Sequence, residues 1–287
     1  MTKRPVHIAV EGASKAFGQG PTRKPVLKDI TLEVGKGEFL TFFGPNGCGK
    51  TTLLNVLGGI ESLDEGTLTI DSGTAKPHVG YIFQDYRGNL MPWLTVAQNI
   101  AFPLKIRGVP KRERVVKVEA LRDRFGFTVD LDARTYTLSG GQAQLTSILR
   151  ALIIDPDILF MDEPFSALDY QTNLSLYDKV LKIWETAGVT ILLVSHDLDE
   201  AIYLGERTVF LTQRPAAIAA VLENNLPRPK CLAQMGTEAF AGLKAKALHI
   251  FQEVALAQKN GTSNQIGPER QQQQPQPCAN RKQTCPK

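Results

Sequence analysis

Long apolar runs are missing from this chain of 287 residues. Nothing in it approaches the ~20 consecutive apolar residues that a membrane-spanning helix needs. Cysteine is scarce, and the spacing of Cys48, Cys231, Cys278 and Cys285 fits no common zinc pattern. The first five residues are polar and no long apolar stretch follows them, which argues against a secretory signal. A soluble protein in a reducing compartment is expected, and any membrane role would run through partners. The chain also lacks internal repeats and heptads, which excludes solenoids and coiled coils. An excess of charge is absent from the body as well. The net charge is +4, but residues 261–287 set Arg270, Arg281, Lys282 and Lys287 against Glu269 alone. What remains is close to neutral, without the basic stripe of a nucleic-acid binder. No nucleic-acid partner is therefore expected.

What is present is an ordinary globular composition, 43% hydrophobic and 22% charged, in a chain long enough to bury a core without disulfides or metal. Four short apolar runs each lead into residues able to do chemistry. Residues 38–43 lead to Gly44, 79–83 to Gln84, 158–161 to Asp162, and 190–194 to Ser195 and His196. Apolar runs of this length, without alternation, predict strands buried on both faces. Helical patterns lie between them, so an α/β sheet is expected, with ligands bound beyond the carboxyl ends of its strands.

Residues 85–138 break the strand rhythm and read as a helical insertion. Within it Pro110 opens a helix, Val115, Val118, Leu121 and Phe125 share one face, and Gly126 is the stop. The main domain is expected over residues 6–229, followed by a helical extension at 230–258. Residues 259–287 are rich in Gln, Pro and Gly and are expected to be a disordered basic tail.

Gly44-Pro45-Asn46-Gly47-Cys48-Gly49-Lys50-Thr51 fits a phosphate-binding loop. Glycines let backbone N–H groups curl around phosphate oxygens, and the following helix points its positive end at the same anion. Lys50 suits the β- and γ-phosphates, and the Thr51 hydroxyl is a hard oxygen ligand for Mg²⁺. Further on, Asp162 ends an apolar run and can hold Mg²⁺, while the adjacent Glu163 can act as general base on a water. Leu138-Ser139-Gly140-Gly141-Gln142 reads as a capped helix start, which is also a second anion site. A chain with one phosphate cradle has no need of another for its own nucleotide. The second cradle makes sense if it closes on a partner's ATP.

Taken together, residues 6–229 resemble the ATPase subunits of ABC transporters. Residues 44–51 look like Walker A, which Thr52 follows; residues 158–163 look like Walker B with its catalytic Glu163; and residues 138–142 look like the signature. The resemblance makes Gln84 the Q-loop glutamine and a Mg²⁺ ligand beside Thr51 and Asp162. It places Ser166-Ala167-Leu168-Asp169 as the D-loop, His196 as the switch histidine and Phe17 as the ring stacked on adenine. Cys48 is read as a small packed residue. The implied fold is the P-loop NTPase fold of ABC ATPases: a mixed sheet, an N-terminal antiparallel β subdomain and a helical insertion.

The resemblance also implies an ATP-dependent head-to-tail homodimer on the cytoplasmic face of the cell's inner membrane. Its partners would be transmembrane permease subunits and, indirectly, a solute-binding protein. Met91-Pro92-Trp93-Leu94-Thr95-Val96, Asp197-Leu198-Asp199-Glu200-Ala201 and Arg214-Pro215 resemble the branch that imports nitrate, sulfonates and taurine. Tyr86, Leu90, Met91 and Trp93 are expected to form an exposed groove for a permease helix. The sequence departs from the family at Thr135, Thr137, Ala143, Leu145 and Thr146, and Gln98 replaces a frequent Glu. A soluble ABC ATPase acting on nucleic acid or ribosomes would more often carry two cassettes or a coiled-coil insertion. A non-catalytic relative would be expected to lose Glu163 or His196.

Overall fold

The structure, a computed structural model, describes residues 4–71, 73 and 77–263. β1 (Val6–Phe17) and β2 (Lys24–Gly35) pair antiparallel, and β3 (Phe39–Phe43) runs into the loop before α1 (Lys50–Leu57). β4 (Glu65–Ile70) pairs antiparallel with β1, completing a three-stranded sheet in the order β2-β1-β4. The insertion between β5 (Val79–Ile82) and β6 (Ile158–Asp162) is helical. It holds α2 (Tyr86–Asn89), α3 (Val96–Ile100), α4 (Phe102–Ile106), α5 (Lys111–Phe125) and α6 (Gly140–Leu152). There follow α7 (Tyr170–Ala187), β7 (Thr190–Ser195), α8 (Leu198–Leu204), β8 (Arg207–Leu211), β9 (Ile218–Glu223) and α9 (Glu238–Ser263).

The second sheet has six strands in the order β5-β6-β7-β3-β8-β9, parallel throughout except for β9. The lack of alternation in the sequence follows from its position between two cores. Leu40, Phe42, Ile158, Phe160, Leu192 and Val194 face one way, onto α1 and the small sheet. Phe39, Phe43, Leu159, Met161, Ile191 and Leu193 face the other, onto the helical side. Each such side chain contributes about 1.5–3 kcal/mol by burial, and a polar residue is accommodated only where it is hydrogen-bonded, as Thr41 of β3 is to Ala201 O and Thr208 Oγ1.

The register aligns the strand ends. Phe43 lies opposite Ser195, Met161 opposite Leu193, and Ile82 opposite Met161. The residues that follow these ends, Gly44, Gln84, Glu163 and His196, are thereby gathered at one edge of the sheet.

In α5 the left-handed Gly126 (φ 68°) stops the helix, and Val118, Leu121 and Phe125 are buried. Val115 departs from expectation: it is 48% exposed, because the first turns of α5 overhang an open groove. Leu90 departs in the opposite sense and is buried in the larger core. After β9, Lys230 donates its three N–H groups to the carbonyls of Tyr203, Leu204 and Gly205, capping α8. Lys244 of α9 pairs with Asp199 at 2.8 Å, fastening α9 to the same helix. α9 runs to Ser263, past the boundary at 258 drawn from composition; the remainder of the expected disordered tail, residues 264–287, lies outside the described residues.

Candidate functional site

The loop from Gly44 to Lys50 leaves β3 and turns sharply into α1. Gly49 makes the turn possible at φ 124°, a conformation costly for any side chain, and a Cβ there would sit 3.0 Å from Val26. Cys48 is 2% exposed and burial pushes its thiol up, which makes it a packing residue and a poor nucleophile. Lys50 is 4% exposed, and its Nζ donates to Gly44 O at 3.0 Å and Pro45 O at 3.2 Å. It also stands 3.5 Å from Glu163 Oε1. The ammonium is thus held over the loop by acceptors that it can exchange for phosphate oxygens.

Glu163 follows the end of β6 with φ 43°, a left-handed conformation that costs a non-glycine residue about 1–3 kcal/mol. Its N–H donates to Val194 O at 3.0 Å, which fixes the turn. Its Oε2 accepts from Gln84 Nε2 at 3.3 Å and lies 2.9 Å from His196 Nδ1. An ionised carboxylate only accepts, so Nδ1 carries the ring proton against it. Lys50 at the start of α1, and Gln84 and His196 beyond two strand ends, therefore meet on one carboxylate.

Beside this cluster the Thr51 hydroxyl donates to Asp162 Oδ1 at 3.1 Å. Burial pushes the Asp162 carboxyl above its usual range, and Glu163 adds to the shift, while the bond from Thr51 and the charge of Lys50 oppose it. A cation at this oxygen would favour the ionised form. Thr51 and Asp162 form a hard-oxygen pair. Among the described residues no group of three His, Cys, Asp or Glu side chains could hold a metal unaided. The pair fits Mg²⁺, which is commonly held by one or two protein oxygens together with substrate phosphates.

Lys50, Thr51, Gln84 and Glu163 open onto a cavity of about 600 Å³, lined also by Phe17, Val26, Asn46, Gly47, Gly49, Thr52 and Arg214; Asp162 and His196 lie outside this lining. Phe17 is 41% exposed at its far end, with Lys15 Nζ 5.3 Å from the ring centroid. The volume, an aromatic face at one end and a lysine over a glycine loop at the other suit a nucleoside triphosphate. Val26 and Arg214 were not among the expected site residues. Val26 lies inside a strand pattern, and Arg214 carries no local phosphate motif.

The signature residues stand apart from this cavity. Ser139 caps α6: its Oγ accepts from Gln142 N at 3.3 Å, and Gln142 Oε1 accepts from Ser139 N at 2.9 Å. Gly141 is required by contact, since a Cβ there would meet Thr172 at 2.6 Å. Asp169, the N-cap of α7, accepts from Thr172 N at 3.0 Å. Neither Ser139, Gly140, Gly141, Gln142 nor Asp169 lines the cavity of Lys50. The unusual signature-helix residues are packed inward: Ala143, Leu145 and Thr146 are buried, and Thr146 donates to Gln142 O. Thr135 is buried too and donates to Met91 O at 3.3 Å.

A second concavity, of about 570 Å³, opens on the insertion among Leu94, Ala97, Phe102, Val115 and Val118. Trp93 is 70% exposed and Ile106 72% exposed. The buried Asn99 side chain holds the Trp93 loop by bonds to Met91 N, Met91 O and Thr95 O. Of the apolar group expected at Tyr86, Leu90, Met91 and Trp93, Leu90 is drawn into the core and Trp93 stands exposed, while the Tyr86 side chain lies outside the described residues; the apolar concavity itself lies further into the insertion.

Residues 27–166 match the ABC transporter family. An ABC transporter ATP-binding protein of Methanocaldococcus jannaschii, itself uncharacterized, is 40% identical over 88% of this chain and 93% of its own length. The aliphatic sulfonates import ATP-binding protein SsuB of Bacillus cereus is 39% identical over 88% of this chain and 98% of its own. Among solved structures, a dimeric ATP-binding cassette in a post-hydrolysis state, bound to ADP and Pi, superposes with a TM-score of 0.66 at 27% identity. That likeness covers 77% of this chain and all of the solved one.

Proposed function

Because this chain belongs to the ABC transporter family and is an ATP-binding, ATP-hydrolysing protein, we propose that it powers an importer as a head-to-tail pair docked on transmembrane permease subunits. The observation that carries this reading is the convergence of Lys50, Gln84 and His196 on the Glu163 carboxylate, at the wall of a cavity large enough for ATP.

In this reading Phe17 stacks on adenine. Backbone N–H groups of the loop from Gly44 to Thr52 and the Lys50 ammonium hold the phosphates. Thr51, Asp162 and Gln84 would hold Mg²⁺, which would supply charge to offset that of the phosphate oxygens. Glu163 takes the proton of the attacking water, and His196 keeps the carboxylate and the water in line. Ser139, Gly140 and Gly141 present the N-terminus of α6 to ATP bound by the other chain, with Gln142 bracing the cap and Asp169 at the pair's interface. Gln84 leads directly into the insertion. Arg150 Nη1 of α6 donates to Asn89 O of α2 at 2.6 Å, a link through which a shift at Gln84 would reach the signature helix.

The exposed Trp93 and the neighbouring groove suit a helix of a permease subunit. No helix among the described residues is long and apolar enough to cross a membrane. Docked on permease subunits, the protein would sit peripherally on the cytoplasmic face. Of the solutes expected from sequence, a sulfonate, nitrate or taurine, the sulfonate relative supports a sulfonate; a solute-binding protein would deliver it.

The direct test is metal removal. EDTA is expected to stop ATP hydrolysis, and Mg²⁺ to restore it. Thr51→Ala should raise the Mg²⁺ concentration for half-activity roughly tenfold, the equivalent of about 1.4 kcal/mol. Hydrolysis that persists in EDTA would contradict the assignment of Thr51, Gln84 and Asp162.

A further inference from the structure

We infer that Arg214 is an additional nucleotide-contacting residue, whose guanidinium donates hydrogen bonds to the ribose of bound ATP. The inference rests on the nucleotide reading of the cavity given above.

Arg214 lies on the connection between β8 and β9, and that connection is fastened along β2. Ala216 N donates to Val26 O at 2.7 Å, and Lys28 N donates to Ala216 O at 2.9 Å. Thr212 Oγ1 donates to Pro215 O at 3.1 Å and accepts from Ala217 N at 2.9 Å, which closes the turn on itself. Arg214 Nε donates to Pro25 O at 3.3 Å. That bond uses one of the five guanidinium donors. The Nη groups have no protein partner among the described residues, and the side chain lines the cavity.

Its place along the cavity follows from the strand register. Lys24 pairs with Phe17 and Pro25 with Ala16, so the tether of Arg214 lies beside the aromatic end. The next residue of β2, Val26, approaches the Gly49 turn at the phosphate end. A nucleotide with its base on Phe17 and its phosphates at Lys50 would lay its sugar between these points, alongside Val26 and Arg214. A guanidinium only donates. Ribose hydroxyl oxygens accept such bonds; adenine ring nitrogens and phosphate oxygens accept them too, so it is the position of Arg214 between the two ends that selects the sugar. The Nε tether also fixes the side chain before ATP arrives, which lowers the ordering cost of binding.

The test is nucleotide affinity, measured by calorimetry on the full chain with ATP and with 2′,3′-dideoxy-ATP, which lacks both hydroxyls. Wild type is expected to bind the dideoxy nucleotide about tenfold more weakly, as for loss of a charge-assisted hydrogen bond. Arg214→Ala should bind ATP about tenfold more weakly and no longer distinguish the two nucleotides. The wild-type comparison does not depend on how the variant folds. An unchanged ATP affinity in a folded Arg214→Ala would overturn the inference. Equal losses for both nucleotides, with discrimination preserved, would also overturn it. Phe17→Ala separates the two levels: if it too keeps wild-type ATP affinity, the nucleotide reading itself fails.

Discussion

Glu163→Gln is expected to lower ATP hydrolysis by about 10²–10⁴-fold, the range for loss of a general base, while ATP still binds. The change keeps the shape of a side chain that is only 13% exposed and wedged among three neighbours. A Gln oxygen can still accept from His196 Nδ1 or Gln84 Nε2, so the scaffold around the water survives. What disappears is the carboxylate proposed to take its proton. The left-handed backbone at φ 43° is unaffected, because Gln and Glu share the same steric demands there. Phosphate release at saturating ATP and a separate binding titration would divide the two effects. Near-normal turnover would remove Glu163 from the role of base.

Ser139→Arg is expected to leave the ATP affinity of the single chain within about twofold of wild type, a change under ~0.5 kcal/mol, yet to reduce hydrolysis by about 10²–10³-fold, as for loss of a donor to developing charge. Ser139 does not line the cavity that contains Lys50, so its replacement cannot disturb nucleotide bound there. It caps α6, a helix of 13 residues whose N-terminus is a ready anion site. Arg removes the cap and fills the approach to that site with a long side chain. The effect should appear only where a second chain completes the site. A Ser139→Arg chain with full hydrolytic activity would show that α6 takes no part.

Much of the site could be read from sequence because its parts sit at strand ends. An apolar run followed by Gly44, Gln84, Asp162-Glu163 or His196 states where a strand stops, and the parallel register brings those stops together. The helical insertion and its Gly126 stop were legible from local spacing in the same way. Val115 and Leu90 were misplaced for a different reason. Which apolar side chain faces the core and which faces a groove depends on how α3, α4 and α5 pack. Periodicity within one helix does not contain that information. Arg214 was visible only as part of a branch likeness. Its position depends on the β8–β9 connection lying along β2, and two strands about 190 residues apart in sequence give no local sign of meeting.

The central claim is that two chains share each ATP, and it is tested most directly by the mass of Glu163→Gln in solution. Light scattering is expected to show a single chain without nucleotide and with ADP, and a pair with ATP, since in the proposed arrangement only the γ-phosphate would bridge Lys50 of one chain and Ser139 of the other. Adding Ser139→Arg to the same chain should abolish the pair in ATP. A Glu163→Gln chain that stays single in saturating ATP, or one that pairs equally well after Ser139→Arg, would contradict the account.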